Sequence, residues 1–340
     1  MLRLPKFEVT RPSTVDAAVA LLAEHGDKAM IVAGGTDLVP NMKHELFTPD
    51  VVVSLAGIPD LVGVCQEDDG TLVIGAMTPL DEVAQNEKVL ERAPALAQAC
   101  SLISGPQLRR MGTIGGNVML DTRCQWYNQT YFWRESLGFC LKKDGTVCHV
   151  VESGRKCVAA ASNDGAPALM TLGAQLVFHG PDGPRSVPID ELWKADGIYN
   201  KKVTGEVLKE IRIPAQSAGH RGAYGKLRDR GSIDFPLFGV AVRLDVADDG
   251  ETIEAADACA IALQARPLRL KAVPELLVGT KIGSRAYYVA VDACADRAFK
   301  QCHPLDNIPG DHEYRREMVP VYVRRTLHAA AQRSGPVHHI

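Results

Sequence analysis

The sequence has no uninterrupted apolar run of bilayer length, which argues against a membrane-spanning helix. It has little charge of either sign in excess: 38 Lys and Arg stand against 41 Asp and Glu, for a net charge of −3. So weak an acidity gives no electrostatic reason to expect nucleic acid or an anionic membrane as a partner. The opening Met1-Leu2-Arg3-Leu4-Pro5-Lys6 lacks the apolar core and small-residue cleavage site of a signal peptide, so a cytoplasmic location is expected. Several chemical signatures are missing as well. There is no G-x-S-x-G elbow, no H-E-x-x-H pair and no EF-hand pattern. The ten histidines are dispersed without metal-ligand spacing, apart from a pair in Val337-His338-His339-Ile340, which reads as a frayed tail.

What is present is a chain of 340 residues, 46% apolar, with 30 Gly, 20 Pro and nine Cys. That length is ample for two or three cores. Ser13-Thr14-Val15-Asp16 has the form of a helix start capped by Ser13, with Val15, Ala18, Val19 and Leu22 following at helical spacing and Gly26 as the stop. Strands are expected at residues 29–33 and 51–55, and a hairpin of residues 61–66 and 72–75 around Asp68-Asp69-Gly70. Two helices are expected near residues 80–87 and 93–101. Residues 208–213 read as a strand, and Ala215 to Gly222, small and polar, as a linker. Beyond it, residues 238–246 and 253–261 look like antiparallel strands turned at Asp248-Asp249-Gly250, and helices are expected over 268–278, 284–297 and 314–332, with weak boundaries at Pro274 and Pro320. The resulting division is a domain at 1–216 carrying an insert at 119–161, an α+β domain at 217–332 and a tail at 333–340. Arg109-Arg110 and Arg315-Arg316 are read as solvated faces. Tyr322, Val323 and Leu327 are read as core.

Two glycine-bearing loops carry the first chemical signal. Gly34-Gly35 follows the buried strand at 29–33, and Gly115-Gly116 ends in Asn117, which can bond ribose or phosphate oxygens. A pyrophosphate needs close backbone approach and several N–H donors aimed at one place, and glycine supplies both. Neither loop is a G-x-G-x-x-G fingerprint or a P-loop. Two such loops without lysine point to a dinucleotide held between subdomains, and a flavin dinucleotide fits better than a nicotinamide one.

Ile31-Val32-Ala33-Gly34-Gly35-Thr36-Asp37-Leu38, then Gly112-Thr113-Ile114-Gly115-Gly116-Asn117, and later Lys226 to Asp234 running into Phe235-Pro236, resemble the FAD-binding subunits of the molybdenum hydroxylases. The resemblance spans nearly the whole chain. It implies an α+β protein: a two-subdomain FAD-binding domain of the vanillyl-alcohol-oxidase (PCMH) type, followed by a small domain of antiparallel sheet plus helices. It also implies that Ile31, Val32, Ala33, Gly34, Gly35, Thr36, Asp37 and Leu38 wrap the FAD pyrophosphate, and that Thr113, Ile114, Gly115, Gly116 and Asn117 form a second cradle. Asp164 matches the family's acidic residue beyond that loop, here displaced from it by a long segment. Ile103, Leu208 and Lys226 match positions lining the flavin, with Lys226 near the ring, where a cation stabilises charge on the reduced isoalloxazine.

That long segment holds the second signal. Four of the nine cysteines, Cys124, Cys140, Cys148 and Cys157, fall within it, separated by fifteen, seven and eight residues. The other five sit in apolar stretches and read as buried small hydrophobes. An odd total and no export signal argue against a disulfide framework. Four thiolates suit a tetrahedral zinc or an iron–sulfur cluster. Structural zinc draws its cysteines in tight pairs, none of which occurs here, so a 4Fe–4S cluster is favoured. Trp126, Tyr127, Tyr131, Phe132, Trp133 and Phe139 lie between the first two cysteines and offer it an apolar wrap. His149 is read as a surface residue, with a supporting role beside the cluster as the alternative. A cysteine-bearing insert at this place resembles the β subunits of 4-hydroxybenzoyl-CoA reductases within that family. The resemblance implies electron flow from reduced ferredoxin through 4Fe–4S and FAD to 2Fe–2S centres on a small partner subunit and a molybdopterin on a large one, in a dimer of heterotrimers. It leaves this chain without catalytic residues.

Overall fold

The computed structural model describes residues 2–338, and its longer strands fall into three sheets. The first is parallel, with Val51–Ser54 between Glu8–Thr10 and Ala29–Val32. The central strand is buried at all four positions, as expected of a parallel strand covered on both faces. Helix Val15–His25 lays Val15, Ala18, Val19 and Leu22 against it. Its cap is Thr14, not Ser13: Thr14 is the last extended residue, and its Oγ1 accepts from the Ala17 amide at 3.1 Å.

The second sheet is antiparallel and runs Val64–Gln66, Leu72–Gly75, Val207–Ile213, Gln175–Gly180, Gly183–Pro188. It packs under three helices, Leu80–Gln85, Glu87–Arg92 and Pro94–Leu102, where two were expected. Asn86 makes the break, its side chain capping the Lys88 and Val89 amides. Cys65, expected in the core, is exposed.

The third sheet, Leu268–Arg269, Ile253–Ile261, Phe238–Val246, His220–Leu227, Val337–His338, is antiparallel except at its last edge. Helices Arg285–Gln301 and His312–Gln332 cover one face. Residues 268–269 are strand, and the helix expected over 268–278 is confined to Ala272–Leu277. Pro320 sits inside the last helix. Tyr224, Ala241, Cys259 and Ile261, on the other face, join the core of the second sheet. Four expectations need correction here. Gly222 is a strand residue rather than linker, its missing side chain admitting Ala95. Val337–His338 pairs with Gly225 and Lys226 and is not frayed; His339 and Ile340 lie outside the described residues. Arg315 is fully buried, donating to the Leu237, Leu305 and Ala262 carbonyls. His149 is half-buried, with Nε2 at 2.5 Å from the Phe139 carbonyl. Among the described residues no helix is long and apolar enough to cross a membrane.

Candidate cofactor groove and cysteine pocket

Between the first two sheets runs a groove of about 660 Å³, within the usual range for a bound organic cofactor. Ile31, Ala33, Gly34, Gly35, Thr36, Asp37 and Leu38 line it, as do Thr113, Gly115, Gly116, Asn117, Ile103, Asp164 and Leu208. Val32, Ile114 and Lys226 do not line it. The sequence reading missed Phe178, Asp121, Phe235 and Asp234, which do; the last two belong to the Lys226–Pro236 stretch and were legible as a segment, not as individual contacts.

The two loops are built differently. Gly34 is required by close approach: a Cβ there would meet the Met111 carbonyl oxygen at 1.7 Å, so the first loop lies directly on the second. Gly115 is required by Ala76, whose Cβ and carbonyl stand 2.6 Å from where a side chain would begin. The amides of Ile114 and Gly115 bond to the Thr78 and Ala76 carbonyls, and that of Gly116 to Thr113 Oγ1. Those of Gly34, Gly35 and Thr36 meet no protein acceptor among the described residues. Open N–H donors for an anion are therefore concentrated in the first loop, and the second contributes side chains.

Asp164 and Lys226 form a buried unit behind the groove wall. Lys226 has no exposed surface, and its Nζ donates to the Leu102 carbonyl at 3.1 Å and to Asp164 at 3.2 Å. Tyr224 Oη donates to the same carboxylate at 2.7 Å. Burial pushes the Asp164 carboxyl above its ordinary value, and Lys226 and Tyr224 pull it back. Lys226 thus acts on the groove through Asp164 and Asp234, rather than by facing it.

The long segment leaves and rejoins the fold at one point. Asn117 Oδ1 accepts from the Gly165 amide at 3.0 Å, and the Asn163 side-chain amide donates to the Val118 carbonyl at 3.0 Å. Arg123 and Ala160 exchange both backbone bonds just beyond. Outside that stem, Cys124, Cys140, Cys148 and Cys157 are each 7–9% exposed and all are free thiols. Cys124, Cys140 and Cys157 share a cluster with Leu46, Phe47, Trp126 and Tyr127. Burial pushes the Cys124 thiol up to about 12, and the other three cysteines add to the rise, so all four lie within electrostatic reach. Among the described residues no three of His, Cys, Asp and Glu stand close enough to grip one metal ion.

The pocket nevertheless has the donors that bound sulfur would use. The Ala159 amide points at Cys157 Sγ at 3.4 Å, and the Trp126 amide at Cys124. The buried Trp126 indole N–H finds no acceptor among the described residues. Cations surround it: Lys142 and Arg134 are almost fully buried, and Arg123 bonds Asp37 at 2.9 Å while lying 4.0 Å over the Phe235 ring. Arg123, the residue before Cys124, therefore joins the cysteine pocket to the groove.

Comparison with known proteins follows this division. Residues 5–216 match the family described as FAD binding domain in molybdopterin dehydrogenase. Residues 222–330 match the CO dehydrogenase flavoprotein C-terminal domain. The carbon monoxide dehydrogenase medium chain of Hydrogenophaga pseudoflava is 31% identical over 327 residues, 96% of this chain and 97% of that one. The medium chain of Afipia carboxidovorans is also 31% identical, over 333 residues, 96% of this chain and 98% of that one. The structure of carbon monoxide dehydrogenase from H. pseudoflava superposes with a TM-score of 0.78 at 30% identity, covering 98% of this chain and 100% of that one.

Proposed function

This chain belongs to the FAD-binding subunits of the molybdenum hydroxylases, and on that premise we propose that it is the FAD- and 4Fe–4S-carrying electron-transfer subunit of a 4-hydroxybenzoyl-CoA reductase. In this reading FAD occupies the groove. Residues 31–38 offer open amides to its diphosphate, Thr113 to Asn117 close over it, and Ile103 and Leu208 meet its apolar surface. Asp164, held by Lys226 and Tyr224, fixes the polar wall. Cys124, Cys140, Cys148 and Cys157 hold the cluster. When bound, the two cofactors accept and pass on electrons. The chain's own work is to fix their positions, exclude water and set the charge around them. Electrons come from reduced ferredoxin and leave toward a small 2Fe–2S subunit and a large molybdopterin subunit. There 4-hydroxybenzoyl-CoA takes up two electrons and two protons and releases water, giving benzoyl-CoA.

The observation that carries this reading is the pocket of four free, buried thiols beside the groove. A tetrahedral zinc with Zn–S of about 2.3 Å needs its sulfurs about 3.8 Å apart, and among the described residues no three ligating side chains form a group for one ion. A cluster of four irons takes its thiolates at wider spacing. Backbone amides near the sulfurs, an indole N–H in the same packed cluster and buried cations suit its negative charge. The identity to carbon monoxide dehydrogenase medium chains favours a second reading, the FAD subunit of another molybdenum hydroxylase; in that reading the insert would hold a structural zinc. Metal and sulfide analysis of the anoxically purified complex separates the two, with low-temperature EPR after dithionite reduction. About four irons per chain in excess of the partner's centres, absent in Cys140→Ser while flavin is retained, supports the first. Zinc in their place supports the second.

A further inference from the structure

We propose that the hairpin lying over Cys157 is the docking surface for a small acidic one-electron carrier protein, an inference that rests on the cysteine pocket holding an iron–sulfur centre. The hairpin is closed by the Trp193–Asn200 bridge and the bond from the Lys201 amide to the Leu192 carbonyl. Its inner side is fastened to the pocket. The Gly197 amide donates to the Cys157 carbonyl at 2.8 Å, Asp196 accepts from the Cys157 amide at 3.1 Å, and the Gly197 carbonyl takes bonds from Thr122 and Lys142. A Cβ on Gly197 would stand 2.8 Å from Cys157 Sγ. One layer of chain therefore separates that sulfur from the outside.

The outer side is apolar at its centre and cationic at its rim. Ile198 and Tyr199 are 39% and 58% exposed. Lys156, Lys194 and Lys201 are exposed around them, with Lys194 Nζ 5.9 Å from the Tyr199 ring. Of the nearby acids, Glu191 pairs with Lys201 at 2.9 Å, Asp196 is taken up by the Cys157 and Ile198 amides, and Glu152 is exposed on the preceding turn. With Arg155 also exposed beside Lys156, basic side chains outnumber acidic ones four to three there on a chain of net charge −3, and a patch of that sign with exposed apolar side chains is complementary to an acidic partner. Such complementarity acts mainly on encounter rate. The transfer is outer-sphere: the carrier is oxidised by one electron, the cysteine-held centre is reduced by one, and no bond or proton changes place.

The test is stopped-flow reduction of the assembled complex, purified anoxically, by a small reduced acidic ferredoxin and, separately, by reduced methyl viologen. The double variant Lys156→Glu/Lys194→Glu should lower the ferredoxin rate constant about tenfold or more at low salt and flatten its ionic-strength dependence. Its viologen rate should stay unchanged, and Lys156→Arg/Lys194→Arg should keep the ferredoxin rate. An unaltered ferredoxin rate in a cluster-replete charge-reversed variant overturns the docking surface alone. So does loss of the partner subunits from that variant, which would make the patch a subunit interface. Iron and sulfide missing from the wild-type chain would overturn the cluster reading, and this inference with it.

Discussion

A lysine with no exposed surface has to be paid for by its partners, and Lys226 has three oxygens within reach for its three N–H donors. Replacing it with Met leaves Asp164 buried without its counter-charge, and breaking a buried pair on one side costs about 3–5 kcal/mol. Burial already pushes the Asp164 carboxyl up, so protonation relieves part of that penalty and the loss should fall near the low end. Urea unfolding of Lys226→Met followed by flavin fluorescence measures it; a loss under about 1 kcal/mol, as for an exposed pair, would contradict the buried unit. Gly34 is the sharper steric case. A Cβ there strikes a backbone carbonyl, which cannot swing aside, and overpacking of this kind costs about 1–3 kcal/mol. Because the displaced atoms are those of the two groove loops, Gly34→Ala should weaken FAD retention about tenfold or more, corresponding to about 1.4 kcal/mol. Gly335→Ala, with open space around it, should not. Equilibrium dialysis of flavin against the two variants compares them.

At the scale of elements, Glu206 ties the hairpin region to the second sheet. It accepts from Arg185 through both carboxylate oxygens and from the Val203 amide at 3.1 Å, and its side chain is 7% exposed. Burial works to raise its pKa, but the Arg185 bonds and the amide outweigh it, and the carboxyl is held below its ordinary 4.5. A depressed carboxylate contributes stability that is complete above the unfolded-state value and is lost as pH falls through the folded one. The stability advantage of the wild type over Glu206→Gln should therefore be constant near neutrality and close below about pH 4.5. Thermal unfolding of both proteins across that range measures it, and a gap that widened on acidification would reverse the sign. The elements themselves were readable where pattern alone decides them. Val51–Ser54 and the pair Phe238–Val246 with Ile253–Ile261 follow from apolar runs and an Asp-Gly turn. The cap at Thr14 and the break at Asn86 depend on which of two adjacent polar residues turns its side chain to the backbone, a choice periodicity does not encode. Arg315 looked solvated because its three carbonyl acceptors, on Leu237, Leu305 and Ala262, are remote in sequence. The same holds for Lys226, while Phe178 entered the groove through strand pairing that no local motif announces.

At the scale of the whole molecule, the insert is wedged among three units. Arg123 reaches Asp37, while Arg134 and Lys143 reach the Glu45 and Leu46 carbonyls of the first unit. Gln125 bonds the Asp306 and Asn307 carbonyls of the C-terminal domain, and the Asn307 side-chain amide returns a bond to the Val158 carbonyl of the insert. These ties are polar, whereas the core of the second sheet runs without a break into Tyr224, Ala241, Cys259 and Ile261 of the third. The domains are therefore joined chiefly by shared apolar burial, at roughly 25 cal/mol per Å², and only secondarily through the insert. The stem residues Asn117 and Gly165 already touch, so replacing residues 119–161 by a short turn closes the chain without moving either groove loop. That excision should remove all cluster iron, retain FAD in the groove and leave a single cooperative unfolding transition with a lowered midpoint. Calorimetry and flavin absorbance of the excised complex test this together. Two separated transitions would mean that the insert, not the common core, couples the domains, and loss of flavin would mean that the groove depends on what the excision removes, the lining residue Asp121 and the Arg123–Asp37 contact.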